Sequence, residues 1–275
     1  MNNDTPGRLT KDGIRIYDPS DFAGMHAAGA LAARILDDIA EHVSVGQTTE
    51  TLDRKITDMV EAAGATSATI GYKGYQHASC ISVNHVVCHG IPGAKTLKDG
   101  DILNIDVTVI VDGWFGDTSR MYVAGKLPRK AERLIEVTHD SLMRGIEMVK
   151  PGNTFGDIGH AIQAFVESQR MSVVRDFCGH GLGRVFHAPP NVLHYGRPGT
   201  GPVLEEGMFF TIEPMVNLGR PETKTLADDW TAVTRDKSLS AQFEHSVGVT
   251  ADGVDIFTLS PSGQFHPTYG DSVSR

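Results

Sequence analysis

The chain has 275 residues, 40% apolar and 21% charged, which is the composition of a globular protein long enough to bury a substantial core. No apolar run approaches the roughly 20 residues of a membrane-spanning helix, and the opening Met1-Asn2-Asn3-Asp4-Thr5-Pro6 lacks the charged and apolar regions of a signal peptide. Lys and Arg number 25 against 34 Asp and Glu, a net charge of −9 that argues against a nonspecific grip on DNA or RNA; three cysteines with no CxxC pair argue for a reducing cytoplasm.

Residues 1–12 are polar and are expected to be flexible, ahead of one domain over 13–260. The first helix carries Met25, Ala28, Leu31, Ala32, Ile35, Leu36 and Ile39, an apolar face of period 3.6. Val43-Ser44-Val45-Gly46-Gln47-Thr48 follows, and a second helix starts near Thr48 or Thr49 and stops at Gly64. Residues 101–111 alternate with period two, Leu103, Ile105, Val107, Val109 and Val111 facing one way and Asn104, Asp106 and Thr108 the other. Asp112-Gly113 is a preferred two-residue hairpin turn, so Val111 faces Trp114, Thr108 faces Asp117 and Asp106 faces Ser119.

After Pro128 the pattern restarts. A helix carries Leu134, Leu142, Ile146 and Val149, and Val149-Lys150-Pro151-Gly152-Asn153-Thr154 repeats the earlier turn at an offset of 106 residues. The same offset aligns Leu52 with Ile158, Ile56 with Ile162 and Val60 with Val166. Two similar α+β halves, about 21–125 and 128–260, are therefore expected, with a site between them; residues 261–275 read as a polar tail.

The hairpin register places Asp106 and Asp117 on one face as diagonal neighbours, with Cβ atoms about 7–8 Å apart. Without a cation they repel, and one must hold a proton. Two later apolar runs, read as strands, each enclose an acid: Glu213 within Met208 to Val216 and Glu244 within Gln242 to Val249. Gly179-His180-Gly181-Leu182-Gly183 adds a histidine between residues without side chains. Taken singly, each has a plain structural reading: a solvated strand face, a buried Glu with an Arg partner, a satisfied His. Together they make an oxygen-rich donor set with one imidazole, which suits Mn²⁺, Fe²⁺, Co²⁺ or Zn²⁺ and selects none of them.

From about Asp21 to Leu259 the chain resembles the type I methionine aminopeptidases in their short bacterial form. The resemblance is carried, in order, by Asn84-His85-Val86-Val87-Cys88-His89-Gly90-Ile91-Pro92, Asn104-Ile105-Asp106-Val107, Gly116-Asp117-Thr118-Ser119, the Gly179–Gly183 motif, Phe186-His187, Ile212-Glu213-Pro214-Met215 and Gln242-Phe243-Glu244-His245. It implies the pita-bread fold, two pseudo-symmetric halves with the active site between them. It also implies two divalent ions (Co, Mn, Fe or Zn) held by Asp106, Asp117, His180, Glu213 and Glu244, with a hydroxide bridging them as nucleophile. His89 is implied near the scissile amide, His187 near its carbonyl oxygen and Glu213 as the proton shuttle. Tyr72, Tyr75, Cys80, Phe186 and Trp230 are implied as an apolar slot for a thioether.

The implied reaction removes the N-terminal methionine from nascent polypeptides when the second residue is small. A cytoplasmic monomer with no membrane contact follows. The Arg220–Lys237 segment, whose basic and acidic residues alternate, has the plain reading of a solvated loop, and a weak ribosome contact through its Lys and Arg is the other reading. The sequence departs from the family pattern at Thr69, where some relatives have cysteine, and at Ala188-Pro189, which replaces an acidic pair; both bear on pocket shape. An X-Pro aminopeptidase or prolidase is the nearest alternative, but only a short segment precedes the first helix where those relatives carry a large domain. A noncatalytic scaffold of the same fold is the other, and such scaffolds lose the metal ligands that are intact here.

Overall fold

The computed structural model describes residues 7–264; the expectations for residues 1–6 and 265–275 fall outside the described residues. Helix α1 (Phe22–Ile39) buries every residue of its expected face. Helix α2 (Thr49–Ala62) starts at Thr48, whose hydroxyl accepts the Thr51 N–H, and ends before Gly64. Both pack on a sheet of β1 (Ser79–Val83), β2 (Asp101–Val111) and β3 (Trp114–Ala124), with β2 between its neighbours. The hairpin register is the expected one: Val111 opposite Trp114, Thr108 opposite Asp117, Asp106 opposite Ser119. Asp112 (φ 49°) and Gly113 (φ 80°) are both left-handed, as a two-residue turn joining right-twisted strands requires.

The second half repeats the first. Helix α3 (Arg129–Glu147) follows Pro128, and helix α4 (Phe155–Ser168) starts at Thr154, 106 residues after the matching start of α2. The turns ahead of α2 and α4 place Gly46 at φ 92° and Gly152 at φ 91°. Beyond α4 come β4 (Gly179–Gly181), β5 (Ala188–Val192), β6 (Phe209–Ile212), β7 (Met215–Asn217), β8 (Ser240–Gln242), β9 (His245–Val249) and β10 (Val254–Ile256). Five of them form one sheet in the order β5-β4-β6-β9-β10, while β7 pairs with β8 beside it. This is the α+β pita-bread arrangement that the resemblance implies.

Each half has its own core. Leu36, Ile39, Leu52 and Ile56 meet Leu103, Ile105, Val107 and Val109 in the first; Leu134, Leu142, Ile158 and Ile162 meet Phe210, Ile212, Val216 and Val247 in the second. Each such side chain, taken out of water, contributes about 1.5–3 kcal/mol. Among the described residues no helix is long and apolar enough to cross a membrane.

The expectation that Glu213 and Glu244 sit inside strands is corrected: both occupy breaks between short strands. Strand β6 ends at Ile212 because Pro214 has no N–H to give a ladder, and the chain resumes in a different sheet as β7. Phe243-Glu244 forms the matching break between β8 and β9. Two carboxylates are thereby turned to the seam between the halves, where a continuous strand would have tied their backbone into one ladder.

The seam itself is hydrogen-bonded. The Ser246 hydroxyl donates to the Asp117 carbonyl (2.6 Å), the Thr118 hydroxyl to the Glu244 carbonyl (2.7 Å) and the Glu244 N–H to the Ser119 carbonyl (3.1 Å). Farther along β3, the Arg120 guanidinium and the hydroxyls of Ser260 and Ser262 converge on Asp37 of α1, which fastens the start of the polar tail. Burial works against the charge on Asp37, but these donors outweigh it and hold the carboxyl below its ordinary range.

Candidate active site

A cavity of about 810 Å³ opens at the seam. Every side chain nominated from the sequence lines it: Tyr72, Tyr75, Cys80, His89, Asp106, Asp117, His180, Phe186, His187, Glu213, Trp230 and Glu244. The Gly-His-Gly motif works as expected, since a Cβ on Gly179 would lie 2.4 Å from the Thr211 carbonyl oxygen and one on Gly181 2.1 Å from that of Pro189. Only glycines let β4 run this close to its neighbours on both sides of His180.

Ligand atoms of Asp117, His180 and Glu244 lie within 4.8 Å of one another, all three residues buried. His180 Nε2 is 3.5 Å from Asp117 Oδ2 and 3.8 Å from Glu213 Oε1, while its Nδ1 faces the Gly181 carbonyl at 3.2 Å. That carbonyl fixes the tautomer and leaves Nε2 for the carboxylates. Asp106 sits on β2 opposite Cys80 and Ser119. Outer donors fix the acids: the Thr108 hydroxyl donates to Asp117 Oδ1 (2.7 Å), the Thr211 hydroxyl to Glu213 Oε1 (2.8 Å) and Gln242 Nε2 to Glu213 Oε2 (3.3 Å).

The electrostatics of this group call for a cation. Burial, then Asp117 and Glu213, push the Asp106 carboxyl well above its ordinary range, and burial with the same two neighbours does so for Glu244. Burial raises Glu213 to about 7 although His180 pulls the other way. His180 is raised because Asp117 and Glu213 outweigh its own burial. Among the described residues Asp117 and Glu213 pair with His180 and with no lysine or arginine. Four carboxylates and an imidazole lining one cavity, with no lysine or arginine paired to the acids among the described residues, make a donor set that divalent ions fit, because a cation removes the repulsion that otherwise forces protons onto the acids.

Two further histidines flank the acids. His187 stacks on Tyr72 (5.1 Å between centroids) and lies tilted against His180 (4.1 Å); burial and the His180 charge lower it to about 4, so its ring is neutral at pH 7. His89 has a left-handed backbone (φ 55°) and stands edge-on to Phe177 (5.4 Å) and Trp230 (6.1 Å). Burial lowers its pKa as well. The aromatic slot is assembled from distant segments: Tyr75 against Trp230 at 4.9 Å and Tyr72 against Phe186 at 4.9 Å. Thr69 also lines the cavity, its hydroxyl donating to the His77 carbonyl at 2.7 Å.

Sequence reasoning missed Lys73, Phe177 and Cys178 in the cavity wall, and His194 behind it. His194 is fully buried, and its Nε2 accepts the Glu213 N–H at 3.0 Å, the group that the break after β6 leaves without a ladder partner. Phe177 and Cys178 directly precede the Gly-His-Gly motif, which was the available signal. His194 had none, because its partner exists only once Glu213 is known to lie outside a strand.

Acids, a tautomer-fixed imidazole and a neutral histidine pair, set between two matching halves, define a metallohydrolase of the pita-bread fold. The comparison with known proteins agrees. The chain belongs to metallopeptidase family M24, which it matches over residues 23–251. It is 56% identical over 257 residues to a methionine aminopeptidase of Rickettsia prowazekii (strain Madrid E), covering 93% of this chain and 99% of that one. Against a methionine aminopeptidase of Escherichia coli (strain K12) the identity is 53% over 248 residues, covering 90% and 94%. A crystal structure of methionine aminopeptidase from Rickettsia prowazekii superposes with a TM-score of 0.89, covering 90% of this chain and all of the other.

Proposed function

We propose that this chain is a metal-dependent methionyl aminopeptidase that removes the N-terminal methionine from nascent proteins whose second residue is small. The observation that carries the reading is one cavity in which the acid and imidazole cluster adjoins a slot of Tyr72, Tyr75, Cys80, Phe186 and Trp230. Its support from relatives is identity above 50% over at least nine-tenths of the chain. Catalysis resides in one domain spanning 13–260, with 21–125 and 128–260 as its two halves.

In this reading Asp106, Asp117, His180, Glu213 and Glu244 would hold two divalent ions of the Co, Mn, Fe or Zn class. Such ions, when bound, supply an acidified water and a Lewis-acid contact for the scissile carbonyl. The chain's own groups do the rest. The apolar slot holds the methionine thioether away from water and fixes the peptide across the acids. His187, neutral, donates to the carbonyl oxygen as negative charge gathers there. His89 orients the scissile amide. Glu213 takes the proton at a carboxylate oxygen and passes it to the leaving amine. The free α-amine of the substrate lies beside Asp106, which restricts cleavage to the first bond.

Hydrolysis of C-terminally amidated peptides by the metal-reconstituted protein tests this. Met-Ala-Ser should release free methionine, while Met-Lys-Ser and Met-Asn-Ser should be spared by about a hundredfold or more in kcat/KM, because a bulky second side chain displaces the amide from attack geometry. Equal cleavage of all three, or none of Met-Ala-Ser, contradicts the reading.

The enzyme would act in the cytoplasm as a monomer where chains emerge from ribosomes. Exposed basic groups of the 220–237 segment supply a weak contact to RNA phosphates. Arg220→Glu with Lys224→Glu should then reduce co-sedimentation with ribosomes at low salt and leave peptide hydrolysis intact. Unchanged co-sedimentation across a salt series removes this segment as the contact.

A further inference from the structure

The acids of the cavity account for the chemistry and the aromatic slot for the methionine, which leaves Lys73 without a part. Among the described residues it is the one Lys or Arg in the cavity wall. Its backbone is left-handed (φ 46°, ψ 31°) although it is not glycine, and it is flanked by Gly71 (φ 85°) and Gly74 (φ 87°). A non-glycine residue in this region stores strain of order 1–3 kcal/mol, and such strain gathers where a ligand is clamped.

The position of the charge is defined by the aromatic stack. Nζ of Lys73 stands 5.3 Å from the centroid of the Tyr72 ring, and that ring lies on His187 at 5.1 Å with planes 24° apart. The ammonium is therefore within about 10 Å of the imidazole, the span of about three residues of extended chain at roughly 3.3–3.6 Å each. Two other charged groups away from the acid cluster face the cavity. Asp176 is engaged by the N–H and hydroxyl of Thr223, and Asp12 is exposed. Neither contacts Lys73 through a salt bridge among the described residues.

We propose that Lys73 is a specificity-determining residue that favours methionyl peptides carrying a carboxylate at the third residue. This rests on the proposed aminopeptidase reading, which places the carbonyl of the first residue at His187. The second side chain must be small, so the third is the first that can present a charge to the cavity rim. An aspartate or glutamate there meets an ammonium held over a ring face, and a lysine there meets a like charge. The rim is open to water, so the effect is modest and salt-sensitive: about three- to fivefold in each direction at low ionic strength.

Three amidated tetrapeptides test it: Met-Ala-Glu-Ser, Met-Ala-Gln-Ser and Met-Ala-Lys-Ser. The metal-reconstituted wild type should rank them Glu above Gln above Lys in kcat/KM at about 20 mM salt and compress the ranking at about 300 mM. Lys73→Met should bring the Glu to Lys ratio to about one, and Lys73→Glu should invert it. Hydrolysis of all three by the wild type without a charge preference overturns the proposal and leaves the aminopeptidase reading standing. A preference that survives unchanged in both variants assigns it to another group and also overturns the proposal. Failure of the wild type to cut any of the three overturns the aminopeptidase reading itself.

Discussion

Asp117→Asn and Glu244→Ala should each abolish turnover of Met-Ala-Ser, by at least about a thousandfold, and remove most metal binding. Both carboxylates face His180 within one cluster, and in the proposed site each would be a ligand of the divalent ions, so each change removes negative charge from the donor set. Loss of an outer hydrogen-bond partner of a metal ligand costs roughly 10- to 100-fold, and loss of a ligand itself costs more. The fold should survive. In Asp117→Asn the new side-chain amide keeps an oxygen to accept from the Thr108 hydroxyl, the bond that now reaches Asp117 at 2.7 Å. Removing the Glu244 carboxyl relieves repulsion from Asp117, Glu213 and Asp106, so the metal-free variant should melt no lower than the metal-free wild type. The rise in Tm on adding metal should disappear in both variants. Near-normal activity in either, with metal present, contradicts the metal-ligand assignment.

His187→Ala should lower kcat by about 100- to 1000-fold while moving KM by less than about threefold. The proposed bond strengthens only as the carbonyl oxygen gains charge, so its loss raises the barrier more than it weakens ground-state binding. The ring also packs on Tyr72, Phe186 and His180, so an alanine there removes part of the wall of the slot. His187→Gln separates the two effects, because a side-chain amide can donate again and should recover part of kcat. A change confined to KM would make His187 a binding residue only.

Local signals carried much of the architecture. Thr48 and Thr154 cap equivalent helices, Gly46 and Gly152 turn alike, and Asp112-Gly113 sets a register that puts Asp106 and Asp117 on one face. These features depend on residues close in sequence, which is why a pattern of period 3.6 or 2 exposes them. Glu213 and Glu244 were found as lone charges in apolar runs, but their strand breaks were not. Hydrophobic content runs straight through both breaks, and only Pro214 hinted at the first.

What stayed hidden depends on tertiary contact. Tyr75 and Trp230 are far apart in sequence yet in contact in the fold, and nothing near either in the sequence marks a pocket; the family resemblance alone nominated them. His194 serves a backbone N–H whose need arises from the break after β6. Lys73 acquires its place from a left-handed turn between two glycines and from the Tyr72 ring beneath it.

The central claim is that this cavity is a metal-dependent aminopeptidase site. It is tested most directly by stripping the wild-type protein with a chelator, adding Mn²⁺ in steps and following free methionine from amidated Met-Ala-Ser, with Glu244→Ala as the companion. The account predicts no release from the stripped protein, release that rises with bound Mn²⁺, and none from the variant at any Mn²⁺ concentration. Methionine release that persists in the fully stripped protein, or that never returns when the wild type has bound Mn²⁺, would contradict it.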